Sequence, residues 1–362
     1  MNSKDLSMKE KIGQMIMVGI DTNYITDRIK KLIIKYKVGG ILLYRKNFNT
    51  YSDMINLINE LKKLNQNNKI PLFIAIDQEG GRVNRMPPEI KNLPSANKLA
   101  QLNNLDILLD STKITSKLLK ASGFNINFAP VLDIKRFSDS HPIGDRCYGE
   151  TKEDIIKYGI PVMKEFQKHG IIPVIKHFPG HGATNKDSHF LLPIIKSNIK
   201  ELEKNDIYPF RKAISEGADA VLVSHLLIRN ETGIYPASLS RKFITNYLRK
   251  KYRFKGLIIT DDLKMKSIRF IYGAILAVEK AFQAGNDIIL FRFNHKEEEK
   301  AIKRILNLSK HKKIKESQIN RSVNRILKMK QKYNISDDIL ATELDIEKIN
   351  TEIGKIRKEA NI

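Results

Sequence analysis

The residues best suited to chemistry crowd into Ile171 to Pro193, I-I-P-V-I-K-H-F-P-G-H-G-A-T-N-K-D-S-H-F-L-L-P. An apolar run delivers Lys176 and His177. A loop with Gly180 and Gly182 then supplies His181, Asp187 and His189. Loops carry reactive groups more often than cores do, because their polar groups can face a ligand. Other apolar runs end the same way, on Tyr44-Arg45, Asp77, Asp133, Ser224-His225 and Asp261-Asp262. A lone aspartate after a strand is ordinarily an N-cap. Asp262 is read so, since Leu263 onward can enter a turn. That explanation does not stretch to every one of these run ends.

Several chemistries can draw on this set. Metal hydrolysis would use His177, His181, His189, His225 and Asp261, but no H-E-x-x-H or H-x-H spacing supports it. No metal and no cofactor is expected. A serine triad lacks its G-x-S-x-G elbow. A Schiff base through Lys176 is open to a buried strand-end lysine, although His177 and the many carboxylates favour a charged, hydrogen-bonding one. Glycoside hydrolysis needs a carboxylate nucleophile and a proton donor on opposite sides of the scissile bond. Asp261 suits the first. His189, oriented by Asp187, suits the second, because an Asp–His pair raises the basicity of the imidazole and holds one tautomer.

The elements that must position these groups alternate along the chain. Near-continuous apolar runs lie near 15–20, 38–44, 71–77, 126–133, 171–177, 218–225, 256–261 and 287–291. Runs of this kind are expected of parallel strands buried on both faces. Helical spacing falls between them: Tyr24 to Tyr36, Ser52 to Leu64 with Ser52 as cap, Leu105 to Ala121, and Thr151 to His169 with Asp154 completing a capping box. It continues in Ile199 to Glu216, Arg241 to Lys251 and Ile271 to Ala284. Two amphipathic helices, Lys296–Ser309 and Glu316–Tyr333, close the series. The pattern predicts an α/β fold, a single (β/α)8 TIM-type barrel with C-terminal helices. A doubly wound sheet is the rival, weakened because no strand leads into G-x-G-x-x-G. Residues 1–335 read as the catalytic domain and 336–362 as a charged tail or helix. A barrel gathers its strand C-termini on one face, so the run-end residues should meet.

Composition bounds the rest. The best early apolar run, Ile12 to Ile20, is too short for a membrane span, and Met1 to Lys11 lacks the apolar core of a signal peptide. A cytoplasmic protein is expected, and the lone Cys147 suits a reducing compartment. A net charge of +24 would suit a nucleic-acid partner. The lysines, however, are spread among acids with no dense basic block interleaved with aromatics. The reading is biased composition, with no specific nucleic acid as partner.

The motifs D-Q-E-G-G-R-V-N-R (77–85), N-F-A-P-V-L-D (127–133), G-D-R-C-Y-G (144–149), K-H-F-P-G-H-G (176–182), D-S-H (187–189) and I-T-D-D-L-K-M (259–265) resemble glycoside hydrolase family 3. With A-G-N-D-I-I-L-F (284–291) the resemblance covers about residues 10 to 335. The D-S-H loop resembles the β-N-acetylglucosaminidase branch.

The resemblance implies Asp261 as nucleophile, His189 as acid/base and Asp187 as its partner. It implies that Asp77, Arg85, Arg146, Lys176 and His177 hold the sugar, and that His181 braces the loop. It further implies a retaining exo-hydrolase acting on a small carbohydrate, terminal β-linked N-acetylglucosamine of muropeptides. The sequence leaves the oligomeric state open, with a monomer favoured. A family 3 β-glucosidase and a β-N-acetylglucosaminide phosphorylase are the alternatives within the family. A basic binding protein on a degenerate barrel is the alternative outside it. Cys147 replaces a common serine and reads as a tolerated small residue, with an oxidisable thiol as the other reading. The chain has no Trp, so an aromatic sugar platform must come from Tyr or Phe, such as Phe178 or Tyr148.

Overall fold

The computed structural model describes residues 2–136, 143–183, 192–292, 294–339 and 344–361. Eight parallel strands form the main sheet. They are β1 (Ile16–Gly19), β2 (Gly40–Leu42), β3 (Phe73–Ile76), β4 (Ile126–Asn127), β5 (Ile172–Phe178), β6 (Ala220–Val223), β7 (Leu257–Thr260) and β8 (Ile289–Phe291). Neighbours pair in chain order, and β1 also pairs with β8, Ile16 opposite Ile289. A parallel bridge between Ile259 and Ile288 joins β7 to the start of β8. The result is a nearly closed (β/α)8 barrel, as the eight runs predict.

The strands are largely apolar, with Asn127, Lys176, His177 and Thr260 as the polar residues near their C-terminal ends, because both faces are covered, one by the barrel interior and one by helices. Each residue of β1, β3, β6 and β7 is buried. Fully burying one such Ile or Val is worth roughly 1.5–3 kcal/mol, so this ring supplies much of the fold's driving force. Its N-terminal end is sealed by Lys330, on the helix Glu316–Lys332. Its ammonium donates to Gln14 Oε1 (2.8 Å), Gly39 O (3.0 Å) and Pro71 O (2.6 Å). Those acceptors immediately precede β1, β2 and β3.

Several helices differ from expectation for local reasons. The helix Tyr51–Asn65 is capped by Thr50, not Ser52, because Thr50 and Asp53 complete a capping box. The predicted helix Ile199 to Glu216 is two, Ile199–Lys204 and Tyr208–Ser215. Pro209 sits in the first turn of the second, where its missing N–H costs nothing and a preceding turn of helix is disfavoured. The helix expected from Ile271 begins at Lys266 and is interrupted at Gly273, whose φ of 68° is left-handed. Thr151 and Asp154 form their predicted box.

The charged C-terminal stretch holds a helix, Ile346–Glu359, that buries Ile349, Ile353 and Ile356. Lys117 and Glu352 pair across to the helix Leu105–Ala121, and Arg357 donates to Asn92 O. The basic run Arg249 to Lys255 does interleave Tyr252 and Phe254. Phe254 is buried, however, and Arg249 is engaged by Asp287, Phe254 O and Gly256 O. Its aromatics are packing groups. Among the described residues, no helix is long and apolar enough to cross a membrane.

Candidate active site

A cleft of about 640 Å³ opens at the C-terminal ends of the strands. Asp77 follows β3, Lys176 and His177 end β5, Asp261 follows β7 and Arg292 follows β8. All line the cleft, with Arg85, Arg146, His181 and Asp262. The structure therefore brings Asp77, Arg85, Arg146, Lys176, His177 and Asp261 to one place from widely separated points in the chain. Asp187 and His189 lie outside the described residues.

Adjacent residues on a regular strand point to opposite faces, yet Lys176 and His177 both reach the cleft. The pairing of β5 with β6 shifts register between Ile175 and Phe178, and such an irregularity re-aims side chains. The peptide bond between the two residues is cis. Beyond them, Gly180 and Gly182 bracket His181. A Cβ at Gly180 (φ +125°) would lie 2.6 Å from Asp206 Cβ, and one at Gly182 would lie 2.1 Å from Ile134 O. Only glycine lets this turn press against Asp206 on one side and the segment leaving β4 on the other.

An ion network holds one wall. Lys176 Nζ is 2.7 Å from Asp77 Oδ1 and 2.5 Å from Glu79 Oε1. Arg146 grips Glu79 with two bonds, Nε to Oε2 at 2.8 Å and Nη2 to Oε1 at 2.7 Å. Burial would raise the Glu79 carboxyl, but Arg146 and then Lys176 overcome it and hold it well below the usual carboxylate range. Burial likewise works against the Arg146 charge, and Glu79 outweighs it and raises the guanidinium further. Two cations share one buried carboxylate and Asp77, so this wall presents fixed donors with little freedom to reorient.

A second arrangement fixes the histidines. Asp133 Oδ2 lies 2.7 Å from His177 Nδ1, and Oδ1 accepts the His181 amide at 2.7 Å. The His177 and His181 rings meet edge-on, 6.0 Å between centroids. Burial and then the neighbouring His177 push His181 down to about 4, so it is neutral in ordinary buffers. His181 is buried in this turn, with its amide held by Asp133.

On the opposite wall, Asp261 Oδ1 accepts the Asp262 amide at 2.8 Å. Asp262 Oδ1 accepts the Lys264 amide at 2.9 Å, closing the expected turn. Burial, reinforced by Asp261, pushes the Asp262 carboxyl up to about 6. His225 supports this turn from below. Its Nε2 is 3.1 Å from Asp262 O, which only accepts, so Nε2 carries the proton and Nδ1 takes the Ser238 hydroxyl at 2.7 Å.

The expected aromatic platforms are not in the cleft. Phe178 and Tyr148 are buried, Phe178 among Phe210, Phe243 and Tyr252. Among the described residues, Tyr44 and Phe128 are the Tyr and Phe side chains that line the cleft. The Tyr44 ring carries the Arg292 guanidinium 4.7 Å from its centroid. Cys147 is buried, and burial pushes its thiol well up, away from the reactive thiolate. Tyr44 and Asp133 stand at run ends that the sequence marks, whereas Glu79 and Arg292 were not singled out; Glu79 falls inside D-Q-E-G-G-R-V-N-R, which was the available signal.

Residues 7–329 match the family model described as the glycosyl hydrolase family 3 N terminal domain. Over 337 residues the chain is 30% identical to beta-hexosaminidase A of Pseudoalteromonas piscicida, covering 86% of this chain and 56% of that one. It is 32% identical over 283 residues to a beta-hexosaminidase of Neisseria meningitidis, covering 76% of this chain and 77% of that one. The structure of a glycoside hydrolase family 3 beta-N-acetylglucosaminidase from Paenibacillus sp. superposes with a TM-score of 0.92 at 33% identity. That superposition covers 98% of this chain and 69% of the other. The chain thus spans little more than half the length of the Pseudoalteromonas protein.

Proposed function

The chain belongs to glycoside hydrolase family 3, and from that premise we propose that it is a retaining exo-β-N-acetylglucosaminidase releasing terminal β-linked N-acetylglucosamine. The observation that carries this reading is the meeting of Asp261 with Asp77, Arg85, Arg146, Lys176 and His177 around one cleft. Such a cleft offers one carboxylate for attack and a wall of charged hydrogen-bonding groups for sugar hydroxyls. Relatives named beta-hexosaminidase support the choice of an N-acetylhexosamine.

In the proposed mechanism an Asp261 oxygen bonds to the anomeric carbon as the bond to the leaving oxygen breaks. Protonated His189, oriented by Asp187, gives its proton to that oxygen. Neutral His189 then takes a proton from water, whose oxygen displaces Asp261 and regenerates the carboxylate. Histidine suits both steps because its pKa lies near neutrality. Asp77, Arg85, Arg146, Lys176 and His177 bind the sugar hydroxyls, with bonds that strengthen as the ring distorts toward the oxocarbenium-like transition state. Muropeptides are the proposed natural source of the sugar, and a cytoplasmic recycling role agrees with the single buried Cys147.

The test is turnover of an aryl β-N-acetylglucosaminide beside the aryl β-glucoside. Preferred cleavage of the first with retention of anomeric configuration is expected. Faster cleavage of the glucoside overturns the substrate, and cleavage of neither overturns the activity.

A further inference from the structure

We infer that Asp133 is a positioning residue that makes His177 a hydrogen-bond acceptor toward the cleft, so that the sugar hydroxyl meeting His177 must be a donor. Asp133 itself is buried behind the cleft and does not line it. Each of its oxygens is committed. Oδ2 lies 2.7 Å from His177 Nδ1, Oδ1 accepts the His181 amide at 2.7 Å, and both take a longer bond from the His177 amide, at 3.3 and 3.2 Å. Burial would raise this carboxyl, but His177 and the His181 amide outweigh burial and hold it below the usual range. Asp133 is therefore ionised at neutral pH.

An ionised carboxylate only accepts, so His177 Nδ1 carries the proton. Arg146 Nη2, which only donates, lies 3.4 Å from His177 Nε2, so Nε2 accepts and the ring holds its one proton on Nδ1. The chain of donors runs from Arg146 or the sugar into His177, and from His177 into Asp133. The same carboxylate holds the His181 amide, at the root of the segment that continues toward Asp187 and His189. One buried group thus sets both the polarity of a sugar contact and the seat of the following loop.

Asp133→Asn separates this role from mere packing. Its amide oxygen keeps the place that accepts from His181, which turns the amide NH2 toward His177 Nδ1. Nδ1 must then accept, the proton moves to Nε2, and Nε2 faces donors on Arg146 and sugar with a proton of its own.

The inference rests on the cleft being the sugar site, and the test keeps the two apart. Long-range 1H–15N spectra of 15N-histidine protein, with His177 identified from the His177→Gln spectrum, should show Nδ1–H in the wild-type chain and Nε2–H in Asp133→Asn. N-acetylglucosamine affinity should fall about tenfold or more in the variant, as for a buried hydrogen bond lost. A wild-type Nε2–H tautomer overturns the inference, as does an unflipped variant or a flipped variant with unchanged affinity. If Asp133→Asn fails to fold, the wild-type spectrum still decides the tautomer. A wild-type chain that neither binds the sugar nor cleaves any glycoside sinks the functional reading instead, with the spectra standing.

Discussion

The backbone amide of Asp262 donates to Oδ1 of Asp261 across 2.8 Å. That bond orients a carboxylate placed at a strand end, just beyond Thr260, with the cleft in front of it. The two neighbouring carboxyls are treated differently. Both line the cleft, but Asp261 Oδ1 takes its neighbour's amide, while Asp262 Oδ1 takes the Lys264 amide and closes the turn.

Asp261→Asn keeps an oxygen for the Asp262 amide and loses the nucleophile. Turnover of an aryl β-N-acetylglucosaminide should fall by about 10³-fold or more with an unchanged melting temperature. Asp262→Asn keeps the oxygen that accepts from Lys264, and its turnover should fall less than about tenfold. Equal losses in the two variants would remove Asp261 from the nucleophilic role.

Glu79 is the keystone of the ion network, buried between Arg146 and Lys176. Glu79→Gln leaves those charges undercompensated and should cost about 3 kcal/mol or more in urea unfolding. The pH dependence has a definite sign. The folded carboxyl sits below its usual value of 4.5, so its stabilisation is complete above that range and is lost as pH falls below it. Wild-type stability should therefore drop more steeply below pH 4.5 than that of Glu79→Gln. Parallel acid limbs would show the network to be energetically idle.

The barrel and its reactive face were legible because each strand is a buried apolar run and the reactive residues stand where those runs stop. Glu79 and Asp133 were harder. A carboxylate that orients another side chain has the same local sequence as one that caps a helix, and only the distance to His177 or Arg146 separates the roles. Phe178 misled because it adjoins His177. The register shift that turns Lys176 and His177 inward leaves Phe178 packed against Phe210 and Phe243, and no periodicity announces such a shift. Pro209 marked a break in Ile199 to Glu216 that apolar spacing concealed.

The helix Ile346–Glu359 supplies a test of whether the charged C-terminal stretch belongs to the folded unit. Ile353 is buried on its inner face, and the helix is pinned by Asn350 to Glu89 O and by Arg357 to Asn92 O. Ile353→Ala should destabilise the whole chain by about 2–4 kcal/mol in a single cooperative transition. A separate early transition, or no change, would make the helix an appendage.

Lys330 makes the most distinctive pH prediction. Burial pushes its ammonium from the usual 10.5 down to about 7, against a weaker raising pull from Asp337. Between those values the unfolded chain binds a proton that the folded chain has released. Stability therefore rises with pH across this window, and the contribution is flat below about 7. Lys62, shifted the same way by burial, is present in both wild type and Lys330→Met and cancels between them. From pH 7 to 9.5 the wild-type chain should gain on the order of 2 kcal/mol in urea unfolding that Lys330→Met does not. At pH 7 and below the ammonium's three bonds to Gln14, Gly39 and Pro71 oppose its desolvation, so the variant gives up a satisfied charge and takes a donor from three acceptors, of which Gly39 O keeps the Phe73 amide. Identical pH profiles for the two chains would mean that Lys330 keeps an ordinary ammonium, stabilised by those three acceptors and the Phe73 ring 4.4 Å away.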